Sequence, residues 1–185
     1  TEIKRIGVPI LKAGLITQSN HNDLFFVSAF LNEESCKIFE ELRKSIVPDL
    51  KIKIFLDKTH RVIESADIIL LASGTVSLEA MLLKKPMIVT YKLSWITYFI
   101  VKSLVKIPYA ALPNILAGKK IVPECLQFRC RPKILASELD KLLSSDKNIK
   151  KLINHFSKLS VELRKNADTQ AANAILKILQ NDRPI

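Results

Sequence analysis

The stretch ADIILLASGTVSLEAMLLKKPMIVTY, residues 66–91, decides the fold. Its Ile68–Ala72 segment is continuously apolar and of strand length, and Met87–Tyr91 is a second segment of the same kind. A helix beginning near Val76 separates the two segments. Parallel strands cannot be joined by a hairpin and need a crossover, which is usually helical. The order strand, turn, helix and strand therefore predicts two parallel neighbours in a sheet.

The same alternation extends from this stretch toward the amino end of the chain. The segments that show it are an amphipathic helix over Ile3–Leu15 that contains Pro9, a strand over Leu24–Phe30, a helix over Glu33–Val47, a strand over Lys51–Phe55 and a short helix over Arg61–Ser65. Such alternation is typical of an α/β fold with a mostly parallel sheet and helices on both faces. We therefore expect one such domain.

The pattern changes after Tyr91. An apolar stretch is followed by a loop region marked by Pro108, Pro113, Gly118 and Pro123, and then by helices over Pro132–Ser144, Asn148–Lys165 and Thr169–Gln180. The carboxyl-terminal part is thus predicted to be helical. No internal repeat or low-complexity tract interrupts the sequence.

Composition limits the classes of function. The 185 residues are 48% hydrophobic, and 29 Lys and Arg against 18 Asp and Glu give a net charge of +11. The hydrophobic content is high enough for the chain to form a folded core. The positive charge favours an anionic partner such as a nucleotide, a phosphorylated lipid, a membrane surface or a nucleic acid. Only 6% of the residues are aromatic, and none forms a basic and aromatic stripe that would stack bases. That argues against nucleic acid.

The cysteines point to a reducing compartment. Cys36, Cys125 and Cys130 are an odd set without CxxC spacing, and no histidine near the last two completes a metal site. We therefore expect no structural metal and no disulfide. The chain opens with Thr1 and shows no leader, so a cytoplasmic location fits best, and the missing Met hints at a piece of a longer protein.

The segment LSWITYFIVKSLVKI, residues 93–107, suggests contact with a membrane. A spanning helix needs about 20 apolar residues, whereas this segment is shorter and carries Lys102 and Lys106. It is predicted either to be buried against the sheet or to lie in a membrane interface. For the second case the candidate contacts are Leu93, Trp95, Ile96, Phe99 and Ile100.

The turn Ser73, Gly74 and Thr75 follows the central strand and precedes a helix. Ligands of open α/β sheets bind at the carboxyl ends of strands, and a helix start offers backbone N–H groups to a phosphate. Glu79 lies one helical turn beyond Thr75, where its carboxylate could accept hydrogen bonds from a ribose. The simpler interpretation is an ordinary capped helix. Neither GxGxxG nor GxxxxGK[ST] is present, so the turn is not one of the common nucleotide fingerprints.

Several ordered motifs give the sequence a family resemblance. The run from Ala66 to Ser94, LPNILAG at Leu112–Gly118, VPECLQ at Val122–Gln127 and RKNADTQAANAIL at Arg164–Leu176 resemble the lipid-A-disaccharide synthase family. The opening TEIKR is similar to the segment that follows a Gly-Ser-Arg loop in that family. The resemblance covers essentially the whole chain and corresponds to the carboxyl-terminal half of the family.

The resemblance implies a fold, a reaction and a set of partners. The fold is the Rossmann-like carboxyl-terminal domain of a two-domain inverting glycosyltransferase. The reaction joins UDP-2,3-diacylglucosamine to 2,3-diacylglucosamine 1-phosphate and gives lipid A disaccharide 1-phosphate and UDP. No cofactor or metal is implied, and the catalytic base belongs to the amino-terminal half, which this sequence lacks. The enzyme is expected to be peripheral on the anionic inner-membrane surface.

The resemblance also assigns residues and domains. Ser73, Gly74 and Thr75 would contact the diphosphate and Glu79 the ribose, while Asn114, Glu124 and Gln127 would face the nucleotide or donor sugar. Residues 1–145 would form the UDP-sugar-binding domain, and the helices over 146–185 would pack back on the missing half or exchange between the protomers of a homodimer.

Three alternatives stay open at this point. One is a donor domain of a peptidoglycan-precursor glycosyltransferase, whose loop should be richer in glycine than SGTVSLE. Another is a non-catalytic binding or membrane-association remnant of a truncated enzyme. The third is nucleic-acid binding through charge alone, which predicts affinity for any DNA or RNA that falls steeply with salt.

Overall fold

A computed structural model describes residues 2–95, 97–98, 108–164 and 167–181. Helices and strands alternate through its first half, as predicted. The elements are α1 Glu2–Asn20, β1 Phe26–Phe30, α2 Glu33–Ile46, β2 Ile52–Leu56, α3 Thr59–Ser65, β3 Ile69–Ala72, α4 Val76–Leu82, β4 Met87–Tyr91, α5 Leu112–Ala117, β5 Glu124–Leu126, a 3₁₀ turn Gln127–Arg129, α6 Pro132–Leu143, α7 Asp146–Leu163 and α8 Ala167–Asn181.

The strands are all parallel to their partners, which confirms the α/β class. They form two hydrogen-bonded groups rather than one continuous sheet. β1 pairs with β2, and β4 lies between β3 and β5. No ladder joins β1 to β3 among the described residues, and a cavity of about 600 Å³ lies between these two strands.

Helices cover both faces, and the core follows the alternation of side chains along the strands. Leu71, Met87 and Val89 face a cluster that includes residues of α3, α4 and α7. Ile88 and Cys125 point to the opposite face, against α1 and α6. A third cluster joins α1 to α2 beside β1 and β2. The successive residues of β4 thus alternate between the two faces, as a central parallel strand requires.

Two short elements were not predicted. α5 lies in the segment read as a proline-rich loop, and β5 has only three residues. α1 continues to Asn20, beyond the predicted Leu15, with Pro9 inside it. Proline removes one helical hydrogen bond, and the cost is offset here by packing of the flanking residues Ile6 and Leu11, which are buried.

The carboxyl-terminal helices differ in how they pack. Leu152, Phe156 and Leu159 of α7 belong to the core on the α4 face of the sheet. The described side chains of α8, residues 169–179, are all exposed. α7 therefore packs on the core formed by the preceding elements, whereas the described side chains of α8 do not.

Candidate functional site

The Ser73–Thr75 turn lies where the sequence placed it, between β3 and α4. Gly74 has φ +156°, a conformation that glycine adopts far more easily than other residues, and a Cβ built there would meet nothing within 4 Å. Gly74 and Thr75 are exposed. The turn is therefore open to solvent. Its backbone conformation, rather than a lack of space for a side chain, favours glycine at position 74.

The first turn of α4 leaves backbone donors for a ligand. The carbonyl of Gly74 accepts from the N–H and the hydroxyl of Ser77, at 3.1 and 2.7 Å. The N–H groups of Thr75 and Val76 have no acceptor within the part of the chain that the structure describes. Such groups suit an anion.

Ser73 connects the turn to a second group of predicted residues. Its hydroxyl donates to the carbonyl of Ala110 at 2.9 Å. The N–H of Ala110 in turn donates to the Glu124 carboxylate, with both oxygens at 3.2 Å, and the N–H of Ala111 donates to Glu124 Oε1 at 2.9 Å. We call Ser73, Ala110, Glu124 and Asn114 the support network.

Asn114 is fully buried, and each polar atom of its side chain is bonded. Its Nδ2 donates to the carbonyl of Val122 at 3.0 Å and to Glu124 Oε1 at 2.8 Å, while its Oδ1 accepts from the N–H groups of Ile121 and Val122 at 2.7 and 2.8 Å. Asn114 therefore holds the loop between α5 and β5 and presents no free group to a ligand. Glu124 likewise accepts hydrogen bonds from within the protein, from the N–H groups of Ala110 and Ala111 and from the side chain of Asn114.

Glu79 is held by a residue from another element. The Nδ1 of His60, at the start of α3, lies 2.6 Å from Glu79 Oε1. The other oxygen of Glu79 makes no hydrogen bond to a described residue, and the side chain is 37% exposed. His60 thus fixes one carboxylate oxygen and leaves the other available. The sequence offered no signal for this pair, because its members lie 19 positions apart on different helices.

Gln127 connects the site to the predicted membrane segment. It has φ +46°, and its Oε1 accepts from the N–H of Leu93 at 2.7 Å. Beside it, the ring of Phe128 lies 5.2 Å from that of Trp95 and 6.1 Å from that of Tyr98. Trp95 and Phe128 are 57% and 55% exposed. Sequence reasoning did not identify Phe128, and Ile96, Phe99 and Ile100 lie outside the described residues.

Within the described ranges, no group of three His, Cys, Asp or Glu residues could hold a metal ion. Burial raises the pKa of the Cys125 thiol to about 11, and the nearby Glu138 carboxylate adds to this shift. Cys125 is therefore protonated at neutral pH and is not a nucleophile. No described helix is long and apolar enough to cross a bilayer.

Comparison with known proteins identifies the family. The sequence model for the family described as lipid-A-disaccharide synthetase matches residues 1–175. This chain belongs to the lipid-A-disaccharide synthetase family.

Curated members of the family show what fraction of their length this chain covers. Lipid-A-disaccharide synthase of Haemophilus influenzae (strain PittEE) is 40% identical over 184 residues, which cover 97% of this chain and 47% of that protein. Lipid-A-disaccharide synthase of Vibrio parahaemolyticus (serotype O3:K6, strain RIMD 2210633) is 39% identical over 180 residues, with the same coverage. The chain therefore spans about half the length of the curated relatives it matches.

Proposed function

We propose that this chain is the donor-binding half of a glycosyltransferase that makes lipid A disaccharide 1-phosphate. The observation that carries the proposal is the open Ser73–Thr75 turn at a strand end, whose Thr75 and Val76 N–H groups have no acceptor among the described residues, in a chain of the lipid-A-disaccharide synthetase family. The substrates would be UDP-2,3-diacylglucosamine and 2,3-diacylglucosamine 1-phosphate. An acceptor hydroxyl would attack the anomeric carbon of the donor, forming the β-1,6 glycosidic bond and breaking the bond to UDP.

The chemistry of the leaving group explains what the turn would do. Negative charge grows on the diphosphate as UDP departs, and preorganised donors aimed at that charge lower the barrier. The N–H groups of Thr75 and Val76, with the exposed hydroxyl of Thr75, would supply them. Ser73 would act through the support network, because its hydroxyl is bonded to Ala110. The base that activates the acceptor would come from the other half of the enzyme.

Glu79 would recognise the ribose through its open carboxylate oxygen. In this role His60 would be a positioning residue, since it holds the other oxygen. Asn114 and Glu124 would act as positioning residues that fix the Ala110 segment behind the turn, and Gln127 would fix the start of the Leu93 segment.

Calorimetry of UDP binding to the purified chain tests the proposal. We expect selective binding of UDP over AMP, and we expect Glu79→Gln to weaken it by about tenfold or more, since a hydrogen bond to a charged group contributes roughly 1.5–3 kcal/mol. Glu162→Gln is the matched control, because Glu162 is exposed on α7. Equal binding of UDP and AMP, or equal effects of the two substitutions, would contradict the site.

Reconstitution separates a working half from a remnant. The chain would be mixed with a separately expressed amino-terminal half of a relative, and formation of disaccharide from the two substrates would be followed. Activity that requires both parts supports the proposed enzyme. A folded chain that binds UDP but never supports transfer indicates the non-catalytic alternative.

We also propose that the Trp95 and Phe128 surface rests on an anionic membrane. Exposed aromatic rings are typical of interfacial contact, and the +11 charge attracts acidic headgroups. Sedimentation with vesicles rich in phosphatidylglycerol, compared with pure phosphatidylcholine, measures this contact. Phe128→Ser should weaken binding and Phe25→Ser should not, although both phenylalanines are exposed. Equal losses would argue against this surface.

A further inference from the structure

A groove of about 660 Å³ is lined by α1, by the end of α2 and by the start of α6, and we call it the α1 groove. Six of its nine lining residues are apolar, among them Ile16, Ile46 and Ile134, one from each helix. Ile16 and Ile134 pack on the core cluster of Ile88 and Cys125, whereas Ile46 packs on the cluster between α1 and α2. The groove thus lies where two cores meet, and its volume is within the range of about 300–1,000 Å³ that is typical of small-molecule sites.

The three other lining residues are all cations. Lys12, Arg131 and Lys133 are exposed, and none of them has a salt bridge or a side-chain hydrogen bond to a described residue. Arg43, in the last turn of α2, lies by contrast 2.8 Å from the carboxylate of Glu40. No acidic residue is among the described lining of the groove. The groove therefore combines an apolar surface with unbalanced positive charge, which an anionic ligand would neutralise.

We propose that the α1 groove binds one fatty acid, with its carboxylate among the three cations and its aliphatic chain along the apolar wall. An aliphatic chain needs no hydrogen-bond partner, which suits a wall of Leu, Ile, Val and Pro side chains. The long stems of lysine and arginine can pack beside such a chain while their charged ends stay in water. Burial of methylene groups would supply most of the affinity, and charge would supply the selectivity, because an exposed ion pair contributes little.

Two other occupants fit the groove less well. Surfaces that meet a membrane are enriched in aromatic side chains, and the described lining has none, unlike the surface of Trp95 and Phe128. A second copy of the chain could offer the apolar residues of α8. However, Lys177 is the only charged residue in segment 169–179, and the three cations would repel it.

The α1 groove is separate from the proposed donor site. None of its nine lining residues belongs to the Ser73–Thr75 turn or to the support network. The inference therefore goes beyond the proposed function and does not depend on it. UDP affinity, measured in the same experiments, should be equal with and without the fatty acid.

Calorimetry with the purified chain and laurate, kept below its micelle concentration, tests the proposal. We expect one laurate to bind per chain. Octanoate should bind at least about tenfold more weakly, because each buried methylene contributes about fourfold in affinity. Dodecyltrimethylammonium has the same chain length and a cationic head, so we expect it not to bind.

A pair of double variants tests the position of the carboxylate. Lys12→Glu with Lys133→Glu should weaken laurate binding by about tenfold or more, because each change replaces an attraction by a repulsion. Lys147→Glu with Lys150→Glu makes the same change in net charge on exposed residues of α7 and should alter the affinity less than about twofold. Circular dichroism would verify that both variants are folded.

Methyl NMR tests the position of the aliphatic chain. Laurate should shift the methyl signals of Ile16, Ile46 and Ile134, which line the groove. The methyl signals of Ile115, which is exposed on α5 and outside the groove, should not move.

Five results would overturn the proposal. No laurate binding by the folded chain would exclude the site, and equal affinities for laurate and octanoate would show that the chain is not buried. Equal affinities for laurate and the cationic amphiphile, or equal losses in the two double variants, would show that the three cations do not recognise the carboxylate. Methyl shifts in the groove that follow protein concentration in the absence of laurate would mean that a second copy occupies it.

Discussion

Ser73 shows how one side chain can join two motifs that are far apart in sequence. Its hydroxyl reaches Ala110, whose N–H reaches Glu124, which is bonded to Asn114. The sequence identified both groups as candidate site residues, but it did not indicate that a backbone segment connects them. Hydrogen bonds between residues 37 and 14 positions apart depend on the fold, and local pattern carries no information about them.

Replacing Gly74 should lower both the stability of the chain and its affinity for UDP. We expect Gly74→Ala to destabilise the chain by about 1–3 kcal/mol, because φ +156° is strained for any residue with a Cβ. UDP affinity should fall as the turn relaxes. Urea unfolding and calorimetry measure the two effects. Gly118→Ala, at φ +61°, is the control for strain away from the turn, and a loss of UDP affinity in that variant would argue against a local effect.

Asn114 should contribute more to stability than any exposed asparagine. Asn114→Ala removes four hydrogen bonds and leaves two backbone N–H groups unpaired, so we expect a loss of about 2–4 kcal/mol in the free energy of unfolding. Asn148→Ala, on the exposed start of α7, should cost less than about 0.5 kcal/mol. Similar losses in the two variants would contradict the buried role.

The cysteines should react in an order set by burial. Cys36 is partly exposed, whereas Cys125 is buried with its pKa raised to about 11 from an ordinary 9.0. Iodoacetamide at pH 8 should therefore modify Cys36 first, as mass spectrometry would show.

The raised pKa of Cys125 should also affect stability at alkaline pH. In the unfolded chain this thiol ionises above about pH 9, while in the folded chain it stays neutral, so the free energy of unfolding should fall between about pH 9 and 11. Cys125→Ala should flatten that decline, and an unchanged alkaline profile would refute it.

Among the elements, long periodic segments were predicted well and short ones were not. The predicted Met87–Tyr91 strand and the helix from Glu33 agree with β4 and α2. α5 and β5 were missed because six and three residues give too little periodicity, and the prolines around them favour a loop. The cavity could not be predicted either, because strand order across a sheet is a long-range property.

α7 should behave as part of the core. Phe156 is fully buried against the α4 face, so we expect Phe156→Ala to destabilise the chain by about 3–5 kcal/mol in urea unfolding. Leu163→Ala, near the exposed end of the same helix, should cost much less. If the two costs were equal, α7 would not be packed as described.

α8 should be dispensable for the stability of this domain. It presents Ile175, Leu176, Ile178 and Leu179 to solvent. Ending the chain after Arg164 should change the Tm by no more than about 2 °C, because little apolar surface would be uncovered. Circular dichroism during heating measures this. A drop of about 5 °C or more would show that α8 packs on the domain in solution.

At the scale of the whole molecule, the sequence predicted the fold class and the family, whereas the contacts between distant segments became known only from the structure. Apolar strands, glycine at the turn and a basic surplus are local or additive properties and can be read directly. The fixed orientation of Glu79 by His60 and the aromatic contact of Phe128 with Trp95 arise only when distant segments meet. The boundary between residues 145 and 146 stays a prediction, although α7 packs on the first of the two regions.

The position of Trp95 gives the molecule a built-in optical probe. It is the one tryptophan in the 185 residues, and it lies against Phe128 on the surface that adjoins Gln127. Intrinsic fluorescence excited at the indole band therefore comes from this surface alone. Adding vesicles should shift its emission to shorter wavelength, or protect it from a water-soluble quencher, if this surface loses water. Either change would report on local dehydration without any label attached to the protein.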